Sequence, residues 1–232
     1  MKCVNGFLQL LIGIYLPQFK WKRIPDEKDK EIIKLQNTRA KALGTTAPKR
    51  SMIQTFFMLP RFTAVDISKI KRGFGNLANA AALFSYTGIS ATISRRILTF
   101  TKDKIDKNDD ESYSSWLMSE MTHKLYLDDF DLSHIDIASF KTLTEKMLKV
   151  GEFIEVIYPV IMLGWFFIER GNFEKARDMV GLLGRVGAEY GNDHAKVYQL
   201  SLEVRLSIEQ GRLKEAIDAT HKGILLTKRL EL

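Results

Sequence analysis

A single cysteine, Cys3, stands in 232 residues, which excludes an intrachain disulfide framework and any cysteine-based metal site. That economy suits a reducing compartment, so a cytoplasmic location is expected. Proline is scarce at 5 residues and glycine modest at 15, and β-branched runs are short and scattered. An all-α chain is expected. Long apolar runs are missing too. The most apolar segment is uncharged only from Val156 to Ile168, thirteen residues, too short to cross a bilayer at about 1.5 Å per residue. Hemmed in by Glu152, Glu155, Glu169 and Arg170, it reads as a central buried helix that Pro159 kinks or restarts.

The N-terminus comes nearer to a membrane segment. Cys3 to Phe19 runs seventeen residues without a charge, and Phe7 to Leu16 has the apolar density of a signal-peptide core. No Ala-x-Ala cleavage pattern follows, and Pro17 and Gln18 lead straight into Lys20, Trp21, Lys22 and Arg23. The stretch is therefore expected to be an apolar helix covering one end of a helical stack; the alternative is a membrane anchor over residues 3–23 with a basic collar. With 45% apolar and 10% aromatic residues, the chain has ample material for a core.

Charge is unevenly spread. Residues 1–107 hold 20 Lys and Arg against 7 Asp and Glu, a net of +13, whereas residues 108–232 hold 15 against 21, a net of −6. The sign changes within the polar run Lys102 to Glu111, which reads as a solvated connector between a basic N-terminal helical region, 1–107, and a second region, 108–232. The densest basic cluster is Lys20, Lys22, Arg23, Lys28, Lys30 and Lys34, but Asp26, Glu27, Asp29 and Glu31 are interleaved with it. A phosphate-binding face needs a stripe of one sign, so no nucleic-acid partner is expected.

Catalytic chemistry finds little footing. Gly73-Phe-Gly75-Asn-Leu-Ala78 has the letters of a dinucleotide fingerprint, but Ser68 to Arg72 before it is not a buried strand. Asp106 to Asp110 begins like a calcium loop, yet Glu111 replaces the required glycine and Leu117 the closing glutamate. His123, His134, His194 and His221 share no metal-ligand spacing and read as surface or cap histidines. No strained turn presents a nucleophile. The expectation is a non-enzyme without catalytic, cofactor-binding or metal-binding residues.

What the chain does have is a ruler. Glycine recurs at Gly151, Gly171, Gly191 and Gly211, a spacing of twenty, each interrupting a helical pattern. Helices of about seventeen residues, each closed by a left-handed glycine and then reversed, are expected. Two teeth apart, the residues also match. Ile168-Glu169-Arg170-Gly171-Asn172-Phe173-Glu174-Lys175-Ala176 aligns with Ile208-Glu209-Gln210-Gly211-Arg212-Leu213-Lys214-Glu215-Ala216. The glycine permits the turn, Phe173 or Leu213 reaches back onto the first helix, and the alanine lets two backbones approach.

This pattern resembles the tetratricopeptide repeat. Leu163-Gly164, Phe167, Gly171, Phe173 and Ala176 stand where that repeat places its characteristic residues, and the second unit keeps Gly211, Leu213 and Ala216. The period is forty rather than about 34, and the proline usual at the end of the second helix is absent near Ala188 and Leu226. The resemblance covers roughly residues 133 to 232. It implies antiparallel αα-hairpins stacked as a short right-handed TPR-like solenoid, and a protein-binding scaffold. A second resemblance lies upstream: Ala82 to Ser90, followed by Ile93-Ser-Arg-Arg-Ile97, is similar to the helical C-terminal region of large bacterial signalling ATPases that carry kinase or nucleotide-cyclase domains. It implies a sensor or adaptor part without the catalytic domains, whose partner is a protein or peptide such as a signalling ATPase, kinase or cyclase domain.

On such a stack, exposed side chains that could grip a partner are Arg177, Arg185, Tyr190, Lys196, Tyr198 and Arg205. Elsewhere the patterns give helices over Lys28–Leu43, Ser51–Leu59 (ended by Pro60), Asp66–Tyr86 (capped by Asp66), Ala91–Thr101 (after Gly88 and Ser90), Ser112–Leu127 and Ser133–Val150.

Overall fold

The uncharged N-terminal stretch folds as helix α1 (Lys2–Tyr15). The computed structural model describes residues 2–15, 22–46, 48–106, 108–127 and 130–230. Ten further α-helices follow among them: α2 (Glu27–Thr46), α3 (Pro48–Ala64), α4 (Gly73–Thr87), α5 (Ala91–Lys102), α6 (Asp110–Leu127), α7 (Ile137–Lys149), α8 (Ile154–Glu169), α9 (Phe173–Glu189), α10 (Asp193–Glu209) and α11 (Leu213–Arg229). The chain is all-α: among the described residues, β pairing is limited to an isolated bridge between Arg23 and Val65. No helix among them is long and apolar enough to cross a membrane. The chain divides into two units, Met1–Asp128 and Asp129–Leu232.

In the first unit, α1 packs on α3 and touches α5. It buries Leu10 and Ile14 and leaves Leu8, Ile12 and Tyr15 exposed; residues 16–21, part of the expected 3–23 segment, lie outside the described residues. Arg96 Nε, on α5, donates to the Ile14 carbonyl at 3.2 Å. α2 opens with two aspartates that cap each other. The Asp29 amide donates to Asp26 Oδ1 at 2.7 Å and the Asp26 amide to Asp29 Oδ2 at 3.2 Å. Arg23 Nη2 also donates to Asp29, at 2.7 Å. That hydrogen bond, the largest cause, holds the Asp29 carboxyl below the usual aspartate range. Of the acids interleaved with the basic cluster, Asp26 and Asp29 thus pair with Arg23, and Glu27 pairs with Lys30.

Two helices of the first unit, α3 and α4, depart most from the sequence pattern. α3 starts at Pro48, where a proline in the first turn costs no hydrogen bond, and passes position 60 to end at Ala64. Asp66 caps a single 3-10 turn, Ile67–Lys69, through the Ser68 amide, and the chain then swings through Arg72 at φ 60° before α4 begins. Only glycine fits at the start of α4: a Cβ on Gly73 would stand 2.0 Å from the Ile67 carbonyl oxygen. α4 then packs on α5 and α6. Gly88, at φ 67°, closes α4, and Ser90 caps α5 by accepting from the Ile93 amide at 3.2 Å. The run Lys102 to Glu111 joins α5 to α6.

In the second unit the glycine ruler holds. Gly151, Gly171, Gly191 and Gly211 take φ of 78°, 69°, 62° and 70°, and α9, α10 and α11 are each 17 residues long. At Gly171 the glycine amide donates to Ile168 O and the Asn172 amide to Phe167 O, a paired closure that Gly151 and Gly211 repeat. Asn172 and Asn192 then cap the next helices, accepting from the Lys175 and Ala195 amides. α7 starts later than its pattern suggests, because Asp136 accepts from the amides of Ala138 and Ser139. α8 is the core of the unit. It runs through Pro159 as one helix, and Val156, Val160, Ile161 and Leu163 are buried on all sides.

Candidate interaction site

Each glycine turn lays one helix back on the one before. α8 packs on α9, α9 on α10 and α10 on α11, and α8 also packs on α10. Buried Ala176 and Ala216 sit in the first turns of α9 and α11, where small side chains admit close approach. Leu163 and Phe167 are buried on α8, and Phe173, half-buried, begins α9. Between α8 and α10 the approach is close at Gly164, whose missing Cβ would lie 2.5 Å from Leu202 Cδ1.

Alternate helices are tied at a near-constant offset. Glu145 on α7 meets Arg185 on α9 at 2.5 Å, forty residues on. Tyr158 on α8 meets Tyr198 on α10, also forty on, with hydroxyls 3.3 Å and ring centroids 5.6 Å apart. Lys141 reaches Asp178 across 37 residues and Arg205 reaches Glu169 across 36. Higher numbers pair with higher numbers, so α7 and α9 run parallel, as do α8 and α10. The ion pairs are about half exposed and each contributes roughly 0–1 kcal/mol. Burying Leu202 completely contributes about 2 kcal/mol. Apolar contact therefore holds the helices, and the charges set their alignment.

Five of the six proposed gripping residues belong to this internal network. Arg185 and Arg205 hold Glu145 and Glu169, Tyr198 stacks on Tyr158, and Tyr190 meets Phe153 edge-on with centroids 5.4 Å apart. Lys196 donates to Asp193 at 2.8 Å. That bond, with Arg229 nearby, keeps the Asp193 carboxyl below its ordinary range. Arg177 alone is exposed without an ion pair among the described residues.

The pattern of the sequence did not single out the outer side of α11. Its inner side is set by buried Ala216 and Ala219 and by Gly223 against Leu200 of α10. Leu213, expected to fold back onto the preceding helix, is instead 62% exposed, and Ile217 and Ile224 are 55% and 47% exposed. These three, with Thr220 and Thr227, step along α11 at alternating spacings of four and three, the seam of a helix that packs on another helix. Lys214, His221 and Lys228 follow one edge of it at a spacing of seven. All three are exposed and make no ion pair among the described residues. The legible signal was the four-three spacing itself, masked by the alignment of Leu213 with Phe173.

The first unit holds a different polar cluster. His123, expected at the surface, is 3% exposed between α4, α5 and α6. Its Nδ1 lies 2.9 Å from Ser94 Oγ, which is 2.7 Å from Ser85 Oγ. Ser85 and Ser94 both reach the Ala81 carbonyl, at 2.8 and 3.0 Å. The cause is small-on-small packing. Ser112, Ser115 and Ser119 share one side of α6 with His123, and a Cβ on Gly75 of α4 would stand 2.7 Å from Ser112 Cα. Ser119 donates to the Ser115 carbonyl one turn back at 2.9 Å, Ser112 Oγ donates to Asp109 Oδ2 at 2.5 Å, and Ser115 Oγ accepts from Arg72 Nη2 at 3.2 Å. Sealed inside the unit, this chain of hydroxyls acts as a polar strut.

Gly73 and Gly75 are likewise accounted for by packing, against Ile67 and Ser112. No group of three or more His, Cys, Asp and Glu among the described residues is placed to hold a metal ion. Comparison with protein-family models, with curated proteins and with solved structures finds no match.

Proposed function

We propose that the chain is a non-catalytic interaction scaffold, with its second unit a short TPR-like right-handed solenoid that serves as the helical sensor or adaptor part of a bacterial signalling protein. The observation that carries this reading is the forty-residue offset joining α7 to α9 and α8 to α10, since repeated hairpins that contact only their neighbours present extended surfaces for a partner. The partner class is a protein, namely an ATPase, kinase or cyclase domain. Calorimetry of the full chain against such domains encoded beside its gene tests it. Saturable binding, weakened about tenfold or more by Arg177→Glu with the helical circular dichroism unchanged, supports the reading. Turnover of a nucleotide or ester by the purified chain, or no binding to any of these domains, overturns it.

One observation favours a second reading, a membrane-peripheral protein. Leu8, Ile12 and Tyr15 lie exposed at spacings of four and three along α1. The unit Met1–Asp128 carries 21 Lys and Arg against 12 Asp and Glu, a net of +9. An apolar stripe on a basic body suits an anionic lipid surface. Co-sedimentation with phosphatidylserine vesicles, lost in Leu8→Asp/Ile12→Asp, supports it; a chain that stays in the supernatant sinks it.

A further inference from the structure

α11 is a helix with two faces. Its inner face, Ala216, Ala219 and Gly223, lies against α10. The seam of Leu213, Ile217 and Ile224 lies about 100° further round the same helix, at 100° per residue, and about half of each side chain is in water. Burying such a seam under a second helix removes three large aliphatic groups from water, a favourable change on the order of 1–2 kcal/mol apiece.

Charge decides what covers it. Lys214, His221 and Lys228 form a basic edge beside the seam; of the acids of α11, Glu215 lies on the side opposite the seam, and Asp218, four residues after Lys214, lies just beyond the basic edge. Glu215 is held there by Arg212. A second copy of α11 laid antiparallel would bring Lys214 against Lys228 and His221 against His221, basic edge on basic edge. A helix with acidic groups along its flank instead meets three basic side chains that make no ion pair among the described residues.

We propose that the outer side of α11 is a docking face for an amphipathic helix of a partner protein, one that presents aliphatic residues at four-three spacing and Asp or Glu along its flank. The inference rests on, and deepens, the reading of the second unit as a binding module.

The test uses the full chain and two synthetic helical peptides of about three heptads with the same Leu and Ile seam, one flanked by Glu and one by Lys. Fluorescence anisotropy should show the Glu peptide binding about tenfold more tightly at low salt, with the gap closing near 0.5 M salt. The variant Lys214→Glu/His221→Glu/Lys228→Glu should reverse the preference. Ile217→Asp/Ile224→Asp should abolish binding of both peptides; should that pair fail to fold, the charge-reversal variant carries the test alone. Equal binding of the two peptides, or a preference that survives charge reversal, overturns the proposal. So does a dimer in sedimentation equilibrium that Ile224→Asp dissolves, because the occupant is then a second copy. The scaffold reading stands or falls separately, on the calorimetry with whole domains and Arg177→Glu.

Discussion

Leu202 occupies the space that a side chain on Gly164 would need: a Cβ there would be 2.5 Å from Leu202 Cδ1 and 2.9 Å from Cδ2. Leu202 is fully buried on α10, so moving it aside displaces packed neighbours. Gly164→Ala should therefore destabilise the second unit by about 1–3 kcal/mol through overpacking. Leu202→Ala alone should cost about 2–5 kcal/mol through the cavity it leaves. The double variant should cost clearly less than the two together, because the new methyl fills part of that cavity. Urea unfolding of all four proteins measures this; additivity would show that the two side chains do not share the space.

The glycines of the second unit should split by sign. Gly171→Ala places a Cβ at φ 69° and should destabilise by about 1–2 kcal/mol. Gly181, within α9, has open space around its missing Cβ and no positive φ, so Gly181→Ala should stabilise by about 0.5–1 kcal/mol. Thermal melts of both variants decide it. Two shifts of the same sign would refute the division between turn and helix glycines.

The polar strut of the first unit should be costly to break. Ser94→Ala removes a fully buried hydroxyl that contacts Ala81 O, Ser85 Oγ and His123 Nδ1, and about 1–3 kcal/mol should be lost. Thr99→Ala, on the exposed side of the same helix, should stay within about 0.5 kcal/mol of the parent. Matching losses at the two sites would remove any special standing from the cluster.

Stability should fall on acidification. The Asp29 carboxyl is held below its ordinary range by the Arg23 hydrogen bond first of all, Asp66 by Ser68 and Asp136 by Ser139. A carboxyl depressed in the folded state stabilises fully above the unfolded aspartate value of about 3.9. That contribution is lost as pH falls through the lower folded value. Asp29→Asn should flatten the acid limb of a plot of Tm against pH while leaving its slope above about pH 6 unchanged. An acid limb as steep as the parent's would place the titrating groups elsewhere.

The two units were unequally legible. Gly151, Gly171, Gly191 and Gly211 announce their own conformation, because only glycine takes positive φ without strain and Asn172 and Asn192 cap the helices that follow. α6 offered no such cue. Its packed side carries Ser112, Ser115, Ser119 and His123, of which His123 reads as a surface or cap residue, yet small serines pack closely on an alanine-rich partner and make room for the imidazole beside Ser94. The break at Arg72 was equally silent, since a non-glycine residue stands at the left-handed position and the close approach of Gly73 to Ile67 follows no repeating pattern. Among the gripping residues, charge and aromatic character were visible in the sequence, whereas their partners forty residues away were not.

The constant offset also governs how this chain can change length. Ties between Glu145 and Arg185, Tyr158 and Tyr198, and Glu169 and Arg205 span 36 to 40 residues. An inserted or deleted segment of forty residues carries a whole hairpin and returns every later pair to an equivalent neighbour. Whole hairpins are thus the unit of length that preserves these ties.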